Sequence, residues 1–451
     1  MRRFPPGTEL IVALLVLALT LSILTWREQS PEGASGGNEA ARSLVARYPK
    51  AQRILVVARG TESDRAFTAA CEKQLVESGL EVVAKVEGTP IDVGNMLREL
   101  KKEKKSIDAI VCHRVASAWV PVSQANELLG VDQPIPVVSA TSYYWPAFLK
   151  SENLINITSQ IAVISILAVG MTLVIISGGI DLSVGSLVAL SAVVMTRLIR
   201  DYAGAEQAST IGMVVCGLTA ILVCAAVGAA SGTIIALLKM PPFIVTLATM
   251  LIVGGLSFLI SESKSINQVP PSLGWLGNGA TLLGIPNCVV LMGVVFGVCE
   301  LLLQRSVFGR HLYALGGNPR AAVLCGIRTE RLLVVIYALC GALAGLGGVV
   351  YASQLRSGAA TYGQDYELQT IAAVVVGGTS LSGGEGTLRG TLIGSLILGV
   401  IANGMNLLGL NTETQRIMLG LVILAAVGLD RLRSSRWLKR SPASPGNSLG
   451  V

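Results

Sequence analysis

Apolar residues along most of this chain neither alternate nor mark one helix face; they continue for membrane lengths. The first run is Leu10 to Thr25, behind Arg2 and Arg3. After Leu149 such runs follow one another nearly to the end. They are Ile155 to Ile176, Leu182 to Ile199, Ile211 to Leu238, Phe243 to Ile260, Asn287 to Leu303, Leu332 to Gln354, Leu368 to Val376, Leu392 to Leu408 and Ile417 to Leu429. A helix needs roughly 20 apolar residues to cross a bilayer, so with the first run the pattern predicts about ten transmembrane segments, some short or broken. The first run ends in Leu24-Thr25-Trp26-Arg27-Glu28, without a small-residue cleavage pattern. That favours an uncleaved helix over a secretory signal peptide.

From Gln29 to Tyr144 the pattern changes. Pro31 to Gly37, PEGASGG, has the composition of a flexible linker. Arg53 to Ala58, Leu80 to Val86, Ile107 to Cys112 and Ile135 to Ala140 then read as buried strands. Between them Ser63 to Ser78, Ile91 to Lys105 and Val120 to Leu129 read as helices. Strands alternating with helices of this length predict a doubly wound parallel sheet. The fold class is therefore an α-helical polytopic membrane protein with an inserted α/β doubly wound soluble domain. Its expected parts are a first transmembrane helix (1–28), the insert (29–144), the main transmembrane domain (145–432) and a cytoplasmic tail (433–451).

Composition agrees with a lipid-facing chain. Of 451 residues 52% are hydrophobic and only 14% charged, and mean hydropathy is +0.64. Soluble domains carry about a quarter of their residues as charges. Several of the 50 glycines, such as Gly341, Gly345, Gly347 and Gly348, lie inside apolar runs, where they let transmembrane helices approach closely. The net charge of +7 needs no nucleic acid, because basic residues gathered in cytoplasmic loops give the same sum. Lys239, Arg305, Arg310, Arg320, Arg328, Arg331, Arg389 and the tail from Arg431 to Arg440 fall on one predicted side; Arg197, Arg200, Lys264, Arg356 and Arg416 are exceptions. The bias places both termini of this multi-pass chain in the cytoplasm and the insert outside.

Little material for catalysis is present. His113 and His311 are the two histidines, and His113 has no second ligand at metal spacing. The 8 cysteines include no C-x-x-C pair and read as packing residues. There is no G-x-x-x-x-G-K-[ST] phosphate loop. Leu381-Ser382-Gly383-Gly384-Glu385 is similar to the signature loop of nucleotide-hydrolysing ATPases, but here it joins two transmembrane helices and reads as a tight turn.

Two segments carry chemistry. Gly170 to Ser186, GMTLVIISGGIDLSVGS, sets Asp181 between two apolar runs. A carboxylate there is costly unless it sits at a water-exposed turn, a helix end or a polar pathway. Gly178, Gly179 and Gly185 loosen the backbone around it, as where a helix breaks; the plainer alternative is a short loop between two spans. Gln304 to Arg331 is a basic loop holding the helix-compatible Ala321-Ala322-Val323-Leu324, bounded by Gly316-Gly317 and Gly326. It suits either a coupling helix that docks into another protein or an interfacial amphipathic helix.

These segments give the chain a resemblance to the permease subunits of carbohydrate ABC importers of the ribose, xylose and galactose type. Gly170 to Ser186, Phe308 to Ile327 (FGRHLYALGGNPRAAVLCGI) and Val375 to Leu407 (VVGGTSLSGGEGTLRGTLIGSLILGVIANGMNL) match that family's motifs, and Phe148 to Leu154 is similar to the opening of its second helix. The resemblance implies a transport subunit that is not an enzyme, moving a pentose or hexose inward by alternating access. No cofactor is expected in this chain, because ATP and Mg would sit on the partner ATPase. The implied partners are a cytoplasmic ABC ATPase, an extracytoplasmic sugar-binding protein, a second permease subunit (homodimer or heterodimer) and membrane lipid.

Carried over, the ATPase-coupling loop comprises Gly309, Arg310, Gly316, Asn318, Ala321, Ala322 and Gly326. The translocation pathway or helix break comprises Gly178, Gly179, Asp181, Ser183, Gly185, Asn403 and Asn406. Arg320 departs from the acidic residue the family often has before its Ala pair. The insert is extra to the family and resembles one lobe of a periplasmic sugar-binding protein. Its single lobe, with Gly60-Thr61-Glu62-Ser63 where stacking aromatics would stand, argues against independent sugar binding; docking of the separate binding protein, pairing with the insert of a partner subunit and a remnant of a fusion are the readings left open. A branched-chain amino acid permease and a membrane sensor with an external receptor domain are the rival readings.

Overall fold

The computed structural model describes residues 8–438. It divides into two compact units: residues up to Thr25 together with those from Phe148 onward, and Trp26–Ala147. Arg2, Arg3 and residues 439–451 of the expected tail lie outside the described residues.

The chain begins with helix α1 (Thr8–Leu24) and enters the second unit through strand β1 (Trp26–Gln29). Within that unit follow α2 (Gly33–Arg47), β2 (Arg53–Ala58), α3 (Glu62–Glu77), β3 (Glu81–Glu87), α4 (Pro90–Lys102) and β4 (Ala109–Cys112). Three short helices come next, α5 (Arg114–Ser117), α6 (Val120–Ser123) and α7 (Ala125–Leu129), then β5 (Val137–Val138) and β6 (Tyr143–Pro146). Strands β3-β2-β4-β5 form a parallel sheet in that order. Strand β2 is buried on both faces. Ile54, Val56 and Ala58 pack with Ala40, Ala41 and Leu44 of α2 and Phe67, Cys71 and Leu75 of α3. Leu55 and Val57 pack with Val93, Leu97 and Leu100 of α4.

Two local expectations need correction. Pro31 to Gly37 is not a linker, since α2 starts at Gly33. Its glycines serve packing: a Cβ on Gly37 would stand 2.1 Å from the Phe67 carbonyl oxygen of α3. Val120 to Leu129 is two helices meeting at Gln124 instead of one. The pattern also gave no sign of the ribbon β1–β6, in which Trp26 to Gln29 pair antiparallel with Pro146 to Tyr143. That ribbon brings the entry and exit of the unit side by side.

From Ser151 to Leu438 the chain is mainly helical, with a short antiparallel hairpin of Ala280–Leu282 and Ile285–Pro286. The helices are α8 (Ser151–Ile176), α9 (Val184–Tyr202), α10 (Thr210–Leu238), α11 (Pro242–Ile260), α12 (Gly274–Asn278), α13 (Asn287–Arg305), α14 (Val307–Gly317), α15 (Pro319–Leu324), α16 (Thr329–Leu355), α17 (Tyr366–Val376), α18 (Leu388–Leu407) and α19 (Thr412–Leu438). Among the described residues six, α8, α10, α11, α13, α16 and α18, are long and apolar enough to cross a membrane. The apolar pattern led to about ten; of the remainder α1 and α17 are shorter, and α9 carries Arg197, Arg200 and Asp201. Residues 433–438, expected as tail, continue α19.

Helix α8 is the centre of this unit: 83% of its most apolar window is buried, against 22% for α11 and α13, which present their surfaces outward. Helices α10 and α16 cross at backbone contact. A Cβ on Gly228 would come within 2.2 Å of the Tyr337 carbonyl oxygen, and one on Gly341 within 2.4 Å of that of Cys224. Small residues spaced four apart on both helices (Gly228 and Gly232, Gly341 and Gly345) allow this approach. Three of the basic residues that broke the charge bias are paired with acids: Arg197 with Glu262 at 2.8 Å, Arg200 with Asp201 at 2.7 Å and Arg416 with Asp365 at 3.1 Å.

Candidate translocation and coupling site

Helix α8 ends because Gly178 turns the backbone left-handed at φ +85°. The amides of Gly178 and Gly179 then return to the carbonyls of Ile175 and Val174 at 2.9 and 3.0 Å, closing the helix with a Schellman-type cap. The chain crosses to α9 through Ile180 to Ser183. Asp181 lies in this crossing and is 1% exposed. Its Oδ1 accepts from the Ser183 amide at 2.9 Å and the Ser183 hydroxyl at 2.6 Å, which fixes the turn that leads into α9. Among the described residues its Oδ2 meets no oxygen or nitrogen donor, and the Cys340 thiol stands beside the carboxylate.

The break is gripped from three helices by residues that sequence reasoning did not single out. The Thr246 hydroxyl of α11 donates to the Ile180 carbonyl at 3.1 Å. Tyr337 and Cys340 of α16 flank Asp181; a Cβ on Gly179 would stand 2.4 Å from the Tyr337 hydroxyl oxygen, which is itself buried and finds no hydrogen-bond partner among the described residues. Glu367 of α17 closes the other side, since a Cβ on Gly185 would stand 2.3 Å from its Oε2. The only sequence signal was a polar group inside an apolar run (Thr246, Tyr337) or just before one (Glu367), and many such residues merely satisfy their own helix. Asp181, Ser183, Gly179 and Gly185 are thus brought together and buried within protein, while Gly178 is exposed at the turn.

Asn403 and Asn406 are not brought to this break. Asn403 lies near the far end of α18, where it exchanges hydrogen bonds with Asn153 of α8 at 3.0 and 2.8 Å. Asn406 is exposed and accepts from Gln415 at 2.7 Å.

The segment after α13 folds as two helices where a loop with one short helix was expected. Gly309 makes the first corner, because a Cβ there would stand 1.8 Å from the Leu303 carbonyl oxygen. Gly316 and Gly317 form the last turn of α14 rather than a boundary before the helix. Asn318 caps α15, its Oδ1 accepting from the Ala321 amide at 3.1 Å, with Pro319 at the first helical position. Gly326, at φ +83°, ends it. Ala322 is buried under this turn, whereas Arg310, Ala321, Val323 and Leu324 are exposed, Leu324 to 87%. An exposed apolar tip on a rigidly capped turn suits a protein contact.

In the insert, Thr61 caps α3 by accepting from the Asp64 amide at 3.3 Å. His113 caps α5: its Nδ1 accepts from the Val115 amide at 3.3 Å, and its Nε2 lies 3.7 Å from Asp64 Oδ1.

Comparison with known proteins identifies the family. Residues 153–427 match the family described as branched-chain amino acid transport system / permease component. The chain is 42% identical over 321 residues to the ribose import permease protein of Escherichia coli, covering 69% of this chain and 94% of the relative. It is 42% identical over 292 residues to the ribose import permease protein of Bacillus subtilis (64% and 88%). To the fructose import permease protein of Rhizobium meliloti it is 36% identical over 303 residues (66% and 81%). No solved structure gives a significant match. The chain therefore belongs to the permease family of ABC importers, as a multi-pass inner-membrane transport subunit and not an enzyme.

Proposed function

We propose that this chain translocates a monosaccharide, a pentose or hexose, into the cytoplasm when an associated ABC ATPase hydrolyses ATP. The carrying observation is the alignment over 94% of a ribose import permease, with a fructose import permease also among the relatives. The family description names branched-chain amino acids, but relatives at this identity and coverage carry sugar names. Helix α15, with exposed Val323 and Leu324, docks in the ATPase. The break at Asp181 belongs to the alternating-access pathway. Helices α1, α9, α17 and α19 cross the membrane together with the six long apolar helices, returning both termini to the cytoplasm. Two permease subunits form the pathway, and an extracytoplasmic binding protein delivers the sugar.

The insert stands on the extracytoplasmic side and docks that binding protein. Its parallel sheet with helices on both faces supports the likeness to one lobe of a sugar receptor. A single lobe lacks the second wall that closes on a ligand.

The test is reconstitution of the permease with its neighbouring ATPase and binding protein in proteoliposomes. ATP-dependent uptake of labelled ribose, xylose, galactose or fructose is expected, with leucine excluded. Uptake of leucine and of no sugar would replace this reading with the amino acid one.

A further inference from the structure

The helix break at Asp181 has a counterpart. Helix α17 ends as α8 does. The amides of Gly377, Gly378 and Thr379 return to Ala373, Val375 and Val374 at 3.0, 2.9 and 3.2 Å, and those of Ser177, Gly178 and Gly179 return to Leu173, Ile175 and Val174 at 3.2, 2.9 and 3.0 Å. Gly378 and Gly178 share the same left-handed turn, at φ +87° and +85°. Each cap is followed by a crossing that leads into another long helix, α18 or α9.

The two crossings and the end of α14 meet at one point, through backbone. The Gly384 amide, in the turn between α17 and α18, donates to the Ile176 carbonyl at the end of α8 at 2.9 Å. Gly316 of α14 lies against both partners. A Cβ on it would stand 1.8 Å from the Ile176 carbonyl oxygen and 2.5 Å from the Gly384 nitrogen. A Cβ on Gly383 would meet the Gly316 oxygen at 3.0 Å and the Gly178 Cα at 3.1 Å. One turn earlier on α14, the Tyr313 hydroxyl donates to the Gly386 carbonyl at 2.7 Å. Backbone packed on backbone has no side-chain rotamer to absorb a displacement, so movement of α14 must move both crossings.

We propose that this junction of Gly316, Gly384 and Ile176, with Tyr313 beside it, is where the α14–α15 segment drives the two helix breaks during transport. Gly316 and Tyr313 are positioning residues: they act on the pathway through α8 and the α17–α18 turn. The proposal rests on the transport reading above and adds which contact carries the motion. It also explains why Gly316 and Gly317, adjacent on one helix, differ. A Cβ on Gly317 would meet nothing within 4 Å.

The test uses the assembled transporter in proteoliposomes, with sugar uptake per ATP hydrolysed as the readout. Gly317→Ala is expected to match wild type. Gly316→Ala is expected to lower uptake per ATP hydrolysed by about tenfold or more. Tyr313→Phe, which loses one hydrogen bond, is expected to fall about three- to tenfold. Equal behaviour of Gly316→Ala and Gly317→Ala, or an unchanged ratio in Tyr313→Phe, would overturn the proposal. Should Gly316→Ala fail to assemble, hydrogen exchange in wild type decides: the peptide holding Gly384 is expected to change its protection when ATP binds. No change there overturns the junction. Wild type serves as the separate arm for the transport reading, because its failure to move any sugar would leave the exchange result standing.

Discussion

Asn153 at the start of α8 and Asn403 near the end of α18 donate to each other's side-chain oxygen at 3.0 and 2.8 Å, 250 residues apart in sequence. The Asn153 amide also donates to the Phe148 carbonyl at 2.9 Å. Asn403 is 6% exposed, so its carboxamide has no free exchange with water. It stands about 22 Å along α18 from the turn that meets α14, at 1.5 Å rise per residue. Its geometry is that of a clamp between two helices.

Asn403→Leu should therefore lower stability and spare transport. Loss of one partner leaves Asn153 short of a hydrogen bond, at a cost of about 1–3 kcal/mol. A lower thermal midpoint in detergent is expected, with uptake per folded transporter close to wild type. Normal stability with collapsed uptake would instead return Asn403 to the pathway.

Asp181 calls for two substitutions. Asn keeps an Oδ1 that accepts from the Ser183 amide and hydroxyl, so Asp181→Asn should reach the membrane at wild-type levels yet transport poorly, because the carboxylate is lost. Asp181→Leu removes the turn as well and should destabilise by about 1–3 kcal/mol. Full uptake activity in Asp181→Leu would reduce the residue to a dispensable turn.

The end of α8 is legible in sequence because polar and glycine residues interrupt a run that would otherwise be continuous, and water or protein must then meet the exposed backbone. Its grip is not. Thr246, Tyr337 and Glu367 arrive from three other helices, and nothing local in their runs distinguishes them from other polar residues in apolar helices. Glycine was the least reliable sign. At Gly178 and Gly326 it marks a left-handed turn, whereas at Gly36 and Gly37 the same composition, read as a linker, is the packing face of α2 on α3. The distinction depends on what lies opposite, which composition does not carry. The reciprocal pairing of Asn153 and Asn403 was hidden for the same reason.

At Gly326 the space is open, with nothing within 4 Å of an added Cβ, but φ is +83°. The cost of substitution is thus backbone strain alone. Asn tolerates the left-handed region and Val does not, so Gly326→Val should uncouple ATP hydrolysis from uptake while Gly326→Asn largely preserves it. Membrane levels of both should match wild type. Equal, undiminished uptake in the two variants would remove the α15 cap from the coupling mechanism.

The insert offers a test that needs no transporter, using a purified fragment spanning Trp26–Ala147, the bounds of the second compact unit. Burial holds the His113 imidazole below its ordinary range, although Asp64 pulls it the other way. The neutral ring is also required by its bond, since Nδ1 accepts from the Val115 amide and protonation there abolishes the acceptor. A histidine whose folded pKa is depressed contributes stability above its unfolded value, near about 6.5, and that contribution is lost as pH falls below it. Asp108, held low by its Arg53 partner, and Asp92, held low by the Thr89 amide and hydroxyl, lose their contributions only in more acidic solution, below about 4. The thermal midpoint of the fragment should therefore drop between pH 7.5 and pH 5, and His113→Gln should flatten that slope. Calorimetry on the same fragment should find sugar affinity no tighter than millimolar, about −4 kcal/mol, because a single lobe leaves one side of the ligand in water. Micromolar binding of any pentose or hexose would make the insert a receptor and end its reading as a docking unit.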